Sequence, residues 1–206
     1  MNDDVYGIKK WGNDILEILE NGNIGLKNPF HPDNSPADLI KIIKSLNERG
    51  ISCPVLLRVT DYLAFRIKQI NNSFFRAIRE IRYKGEYKGV FPVKVNQQAQ
   101  VIDRIVEFGK EFDFGLEVGS KPELLIALAH DLSANSTIIC NGIKDREFIH
   151  LAILSIKIGF KTILVLESPR ELDLIIKISK ELNVRPLLGI RAVSYTHLTL
   201  PTIVDV

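Results

Sequence analysis

The run GVFPVKVNQQAQ, residues 89–100, sets one lysine, Lys94, into a stretch of apolar residues that reads as a buried strand. An ammonium in such a place is costly unless it is paired, neutralised or used chemically. Partial desolvation would lower its pKa and enlarge the neutral fraction of the amine, the form that condenses with a carbonyl group. Two further charges stand at comparable positions: Glu117 is the penultimate residue of FDFGLEV, and Arg191 that of RPLLGIRA. Alternation along a pleat puts Phe91, Val93 and Val95 on one face and Pro92, Lys94 and Asn96 on the other. Glu117 shares the inward parity of Asp113 and Gly115. Blander readings compete: Lys94 snorkelling from a strand end into water, Glu117 in an ordinary ion pair, Arg191 as a surface cation.

These residues need a scaffold, and the pattern supplies one. From residue 89 onward, apolar strand-length runs centred near 93, 116, 139, 165 and 189 alternate with segments of helical period, about 24 residues per unit. SKPE (120–123) and SPRE (168–171) repeat one helix-start signature, a capping Ser, a first-turn Pro and a Glu three residues after the Ser. Four βα units and a fifth strand result, with parallel pairing and right-handed crossovers. A doubly wound sheet would suit five strands, but the first loop carries VNQQAQ where a dinucleotide site needs GxGxxG. An eight-stranded barrel needs about 250 residues, so the chain would hold its N-terminal part. The expected fold class is therefore α/β, the N-terminal part of a (β/α)8 TIM-type barrel preceded by a small β-rich accessory region. In a barrel Lys94 projects at the C-terminal mouth, where active sites sit.

Before residue 89 the pattern changes. YGIKKWG and ILEILENGNIGL read as strands, the second folded at Asn21-Gly22 as a two-residue hairpin. Ser35-Pro36 opens a helix, CPVLLRV reads as another strand, and Thr60 begins a long helix to about Tyr83. The expected division is 1–59 as accessory region with one helix, 60–192 as lead-in helix and first five strands, and 193–206 as a tail.

A net charge of +2, with both signs spread along the chain, gives no basic stripe for nucleic acid or membrane. Cys53 and Cys140 are far apart, lack metal spacing, and read as core thiols. No run of about 18 apolar residues and no leader pattern occurs, so the expected location is cytoplasmic. Asn96 and Asn141, at strand ends, read as Asx turns in preference to ring-positioning groups. His130 and His150 read as structural, and Lys144, Asp145 and Arg146 as a solvated helix start.

The run YKGVFPVKVNQ, followed in order by FGLEVGSKPELL, CNGIKDREFI and RPLLGIRA, closely resembles the biosynthetic arginine decarboxylases, pyridoxal-phosphate enzymes of the alanine-racemase-like barrel group. The WGN and CPVLLRV segments fit as well, so the likeness covers roughly residues 5–192. In that family the lysine of the (Y/F)P(I/V)KVNQ motif carries the cofactor, and it matches Lys94. The resemblance also implies cofactor contacts for Glu117 and Arg191, L-arginine as small-molecule substrate, agmatine and CO2 as products feeding polyamine synthesis, Mg2+, and a homo-oligomer for the full-length protein. Nothing in these residues reads a guanidinium. The match breaks after RPLLGIRA: SYTHLTLPTIVDV resembles neither the family nor a sixth βα unit and reads as non-native, with His197 inside it. The family's phosphate loop, ring-stacking histidine and C-terminal β domain are missing from the sequence, so this chain alone is expected to be inactive. Another barrel decarboxylase acting on diaminopimelate or ornithine, a lysine-dependent aldolase barrel, and a catalytically silent assembly fragment remain as alternatives.

Overall fold

Five apolar segments, each of the first four returned by a helix, form a parallel sheet in the computed structural model, which describes residues 6–191. The tail 193–206 and His197 lie outside the described residues. The chain divides into two units between Ile70 and Asn71, within one long helix, and each unit is built from its own residues.

The first unit opens with helix α1 (Ile8–Trp11), where a strand was expected from YGIKKWG. Gly7 N-terminal to it is left-handed, and the N–H groups of Lys10 and Trp11 turn back onto the Gly7 carbonyl. Strands β1 (Leu16–Ile18), β2 (Ile24–Leu26) and β3 (Ala37–Asp38) make a small antiparallel sheet in that order. The hairpin is present, but Ile18 pairs with Ile24, so the connection is longer than the two residues expected and closes through Leu19 N–H to the Asn23 carbonyl.

Helix α2 (Leu39–Glu48) starts three residues later than Ser35-Pro36 suggests, because Asp38 caps it. One Asp38 carboxylate accepts the N–H groups of Ile40 and Lys41 together with the side-chain amides of Asn21 and Asn23. The hairpin turn and the helix start thus share one anion. The Asn23 hydrogen bond, more than any other contact, holds this carboxyl down at about 2, against burial that pushes it up. The unfolded value is about 3.9, so the stabilisation is complete above about pH 4 and is lost as pH falls through about 2. The stability gap between wild type and Asp38→Ala, followed by urea midpoints, is expected to close over that window. A gap constant with pH would mean that ionisation of Asp38 is not its source.

CPVLLRV does not form a strand: residues 51–59 pair with no sheet, Leu56 is exposed, and so is Cys53, against the expectation of a core thiol. Pro54 lacks a donor for any ladder, and the segment's apolar residues have no core face to enter. Helix α3 (Thr60–Glu80) follows, and in this unit Tyr62 Oη donates to the Lys27 carbonyl at 2.7 Å.

In the second unit the strands are β4 (Val90–Pro92), β5 (Gly115–Val118), β6 (Thr137–Cys140), β7 (Lys161–Leu166) and β8 (Leu187–Ile190), paired in that sequential order, all parallel. A doubly wound sheet would reverse direction at a switch point; a sheet that keeps adding to one side is an arc of a barrel. Helices α4 (Ala99–Gly109), α5 (Lys121–Ala129), α6 (Arg146–Lys157) and α7 (Pro169–Leu182) return the chain. They cover the face carrying Leu116, Val118, Ile138, Cys140 and Leu164, which bury completely against Ile102, Leu124, Ile149, Ile153 and Ile178. Each such side chain contributes about 1.5–3 kcal/mol on leaving water. Burial also pushes the Cys140 thiol up to about 12, which makes it inert at neutral pH.

β8 forms one of the two edges of the sheet among the described residues, with Leu187, Leu188 and Ile190 exposed. A groove of about 490 Å³ lined by Ile175, Ser179, Val184 and Leu188 runs beside it, where a complete barrel would place its next layer.

Candidate functional site

Register places the charged residues at one end of the sheet. Pro92 lies opposite Glu117, Glu117 opposite Ile139, Ile139 opposite Ile163, and Ile163 opposite Leu187. These positions face away from the helices; Asn141, Glu167 and Arg191 follow them in the same parity at the C-terminal ends, and Lys94 lies in the turn just after β4.

Lys94 is not on the strand. β4 ends at Pro92, and Val93–Val95 form a 3-10 turn closed by Asn96 N–H onto the Val93 carbonyl. Val93 enters the core, whereas Val95, expected on the same apolar face, is exposed. The tighter period of a 3-10 turn breaks the alternation after one residue. The desolvation expected of Lys94 is not supplied by the described residues: its side chain is 62% exposed, with Nζ 3.8 Å from Glu117 Oε1. The carboxylate is the buried member, its side chain 10% exposed.

Glu117 is held from a second direction, because Asn141 Nδ2 donates to the same Oε1 at 3.1 Å. Asn141 therefore belongs to the site and is not the simple turn residue expected. Asn96 does make a local turn, its Oδ1 accepting from Gln98 N–H at 3.1 Å. One strand further on, Glu167 Oε1 accepts from Gly142 N–H at 2.9 Å and lies 3.5 Å from Arg191 Nη1. The strand ends thus carry, in order, a cation, an anion, an amide, a second anion and a second cation. Gly142 is left-handed at φ +74°, which only glycine adopts freely, and a Cβ there would sit 2.9 Å from the Gly119 carbonyl.

The repeated cap explains why the strand ends are so well placed. Ser120 Oγ accepts from Glu123 N–H, and the Glu123 carboxylate reaches one residue beyond the Ser to take Gly119 N–H at 2.9 Å. In the second copy Ser168 makes no side-chain cap bond, yet Glu171 takes Glu167 N–H at 2.9 Å by the same reach. Lys144, expected in a solvated loop, is buried: its Nζ lies 3.4 Å from Glu171 Oε2 and donates to the Gly142 carbonyl. Sequence reasoning missed Glu167, Lys144 and Glu171. For Glu171 the available signal was the repeat itself, which puts a Glu five residues after the ends of β5 and β7.

The remaining sequence candidates lie elsewhere. His130 Nδ1 contacts the Ile126 carbonyl and Nε2 lies 3.1 Å from Asp103, at the far end of α5 from Ser120; His150 is exposed on α6. Among the described residues no group of three or more His, Cys, Asp or Glu could hold a metal ion, and no helix is long and apolar enough to cross a membrane.

Comparison with known proteins bears on this donor set. A family model described as the pyridoxal binding domain of pyridoxal-dependent decarboxylases matches residues 67–197. The chain is 46% identical over 187 residues to a biosynthetic arginine decarboxylase of Prochlorococcus marinus (strain MIT 9312), covering 91% of this chain and 29% of that protein. It is 44% identical over 189 residues to one of Gloeobacter violaceus, covering 92% and 29%. Its fold is similar to the crystal structure of the biosynthetic arginine decarboxylase from Campylobacter jejuni, with a TM-score of 0.80 and 35% identity, covering 90% of this chain and 30% of that one. The chain therefore spans about 29% of the length of the curated relatives it matches.

Proposed function

We propose, for a chain that belongs to the pyridoxal-dependent decarboxylase family, that its strand ends form part of the site at which the full-length protein converts L-arginine to agmatine and CO2. The observation carrying this reading is the amine of Lys94 beside the buried carboxylate of Glu117, at the C-terminal end of a barrel arc.

The residues present fit an aldehyde cofactor. A primary amine is the group that condenses with a carbonyl, and Lys94 is a solvent-accessible amine at this end of the arc that meets a buried carboxylate, whereas the Lys144 amine is itself buried. Pyridoxal phosphate, when bound, supplies the electron sink that no side chain offers for the pair left behind by departing CO2. Lys94 would hold it through Nζ and, once released, carry a proton at that atom. Glu117, fixed by Asn141, sets a carboxylate beside that amine and orients it. Arg191, braced by Glu167, offers a guanidinium to an anionic group of cofactor or substrate. The resemblance extends the proposal to polyamine and spermidine synthesis, a cytoplasmic homo-oligomer, Mg2+ and a non-native 193–206 tail; no step above uses the ion.

The test is product analysis with the full-length protein supplied in turn with L-arginine, L-ornithine and diaminopimelate. Agmatine from arginine is the expected product. Putrescine or lysine in its place, with no agmatine, would move the protein to another substrate within the family.

A further inference from the structure

Lys144 and Glu171 are buried charges outside the set just assigned, with side chains 0% and 4% exposed. Taking such a pair out of water is costly, and apolar residues of similar volume commonly do as well for stability. What they hold is therefore informative. Glu171 Oε1 accepts Lys144 N–H at 2.8 Å, while Oε2 accepts Glu167 N–H at 2.9 Å and faces Lys144 Nζ at 3.4 Å. Lys144 Nζ in turn donates to the Gly142 carbonyl, and Gly142 N–H donates to Glu167. Between Gly142 and Lys144, Ile143 is 86% exposed, so apolar burial does not anchor this loop.

We propose, building on the function assigned above, that Lys144 and Glu171 are positioning residues: a buried brace that fixes the loop after β6 and the end of β7. Through Asn141 the brace sets Glu117 against Lys94, and through Glu167 it sets Arg191. Five polar residues at the mouth thus take their spacing from one buried ion pair, which acts through them and not on substrate or cofactor directly.

The experiment uses the full-length protein, the conservative variant Glu171→Asp and the double variant Lys144→Met/Glu171→Leu. Withdrawing the carboxylate by one methylene is expected to lower kcat by about 10²-fold, the scale of a 1 Å misplacement, with KM changed by less than about threefold. The double variant is expected to be at least as slow and to show a lower Tm, because the Lys144 and Glu167 N–H groups are left without their acceptor; the conservative Glu171→Asp, which keeps a carboxylate, is expected to lose rate with little change in Tm. In both variants the pH at which the visible absorbance of lysine-bound pyridoxal titrates is expected to shift, whatever the substrate. Wild-type kcat and titration in either variant would overturn the brace. A wild-type protein with a normal absorbance band, shifted in the variants, but no agmatine would overturn the arginine assignment and support the brace; no band in wild type would overturn both.

Discussion

On the role proposed for Lys94, Lys94→Ala in the full-length protein is expected to abolish both cofactor attachment and turnover, with kcat lowered by at least about 10³-fold, because the substitution removes the tethering and proton-carrying amine. The loss should be chemical and not structural. Lys94 is largely exposed in a short turn, and its pairing with Glu117 at 3.8 Å is a half-solvated contact worth at most about 1 kcal/mol. The Tm should therefore hardly move. The direct measurement is reduction of the loaded protein with borohydride followed by peptide mapping, which should place the pyridoxyl mass on Lys94 and on nothing in the variant. A visible band that survives Lys94→Ala would remove this residue from its role.

The second large effect is structural. Gly115, first residue of β5, approaches the neighbouring strand so closely that an added Cβ would lie 1.9 Å from the Thr137 carbonyl oxygen and 2.9 Å from that residue's N and C. All three are backbone atoms of the adjoining segment, so no rotamer change relieves the overlap; the β5–β6 ladder itself must part. Gly115→Ala is expected to destabilise by about 3 kcal/mol or more, at or beyond the upper end for overpacking, with the urea midpoint as readout. A loss below about 1 kcal/mol would show that the two strands slide to accept a methyl group.

Much of the second unit was legible because its rules are local. Apolar residues at strand and helix periods located β5 to β8 and α4 to α7, and Ser120 and Asp145 stand at N-caps where their side chains accept Glu123 and Phe148 N–H. Lys94, Glu117 and Arg191 were legible as charges interrupting or ending apolar runs. The 3-10 turn at Lys94 was not, because three residues are too few to show a period. Glu167 and the Lys144–Glu171 pair were hidden for a different reason. Their partners lie 25 to 27 residues apart on separate βα loops, so contact depends on sheet register, and a charge in a loop reads as solvated until register is known. The first unit was least legible. Tyr6 to Trp11 and residues 51–59 carry apolar residues at strand-like spacing, yet neither finds an edge to pair with, and the start of α2 was set by Asp38 bonding to Asn21 and Asn23 across the turn.

The sequential strand order bears on how this polypeptide acquires its shape during synthesis. Each rung joins the one before it across 22 to 25 residues: Val90 with Gly115, Leu116 with Ile138, Thr137 with Lys161, Ile163 with Leu187. Loop-closure entropy grows only with the logarithm of that separation, so every addition meets nearly the same penalty. Growth can then keep pace with the ribosome, one rung per exit of about two dozen residues, and the most recent rung is always the sticky one, open to whichever chain segment reaches it next.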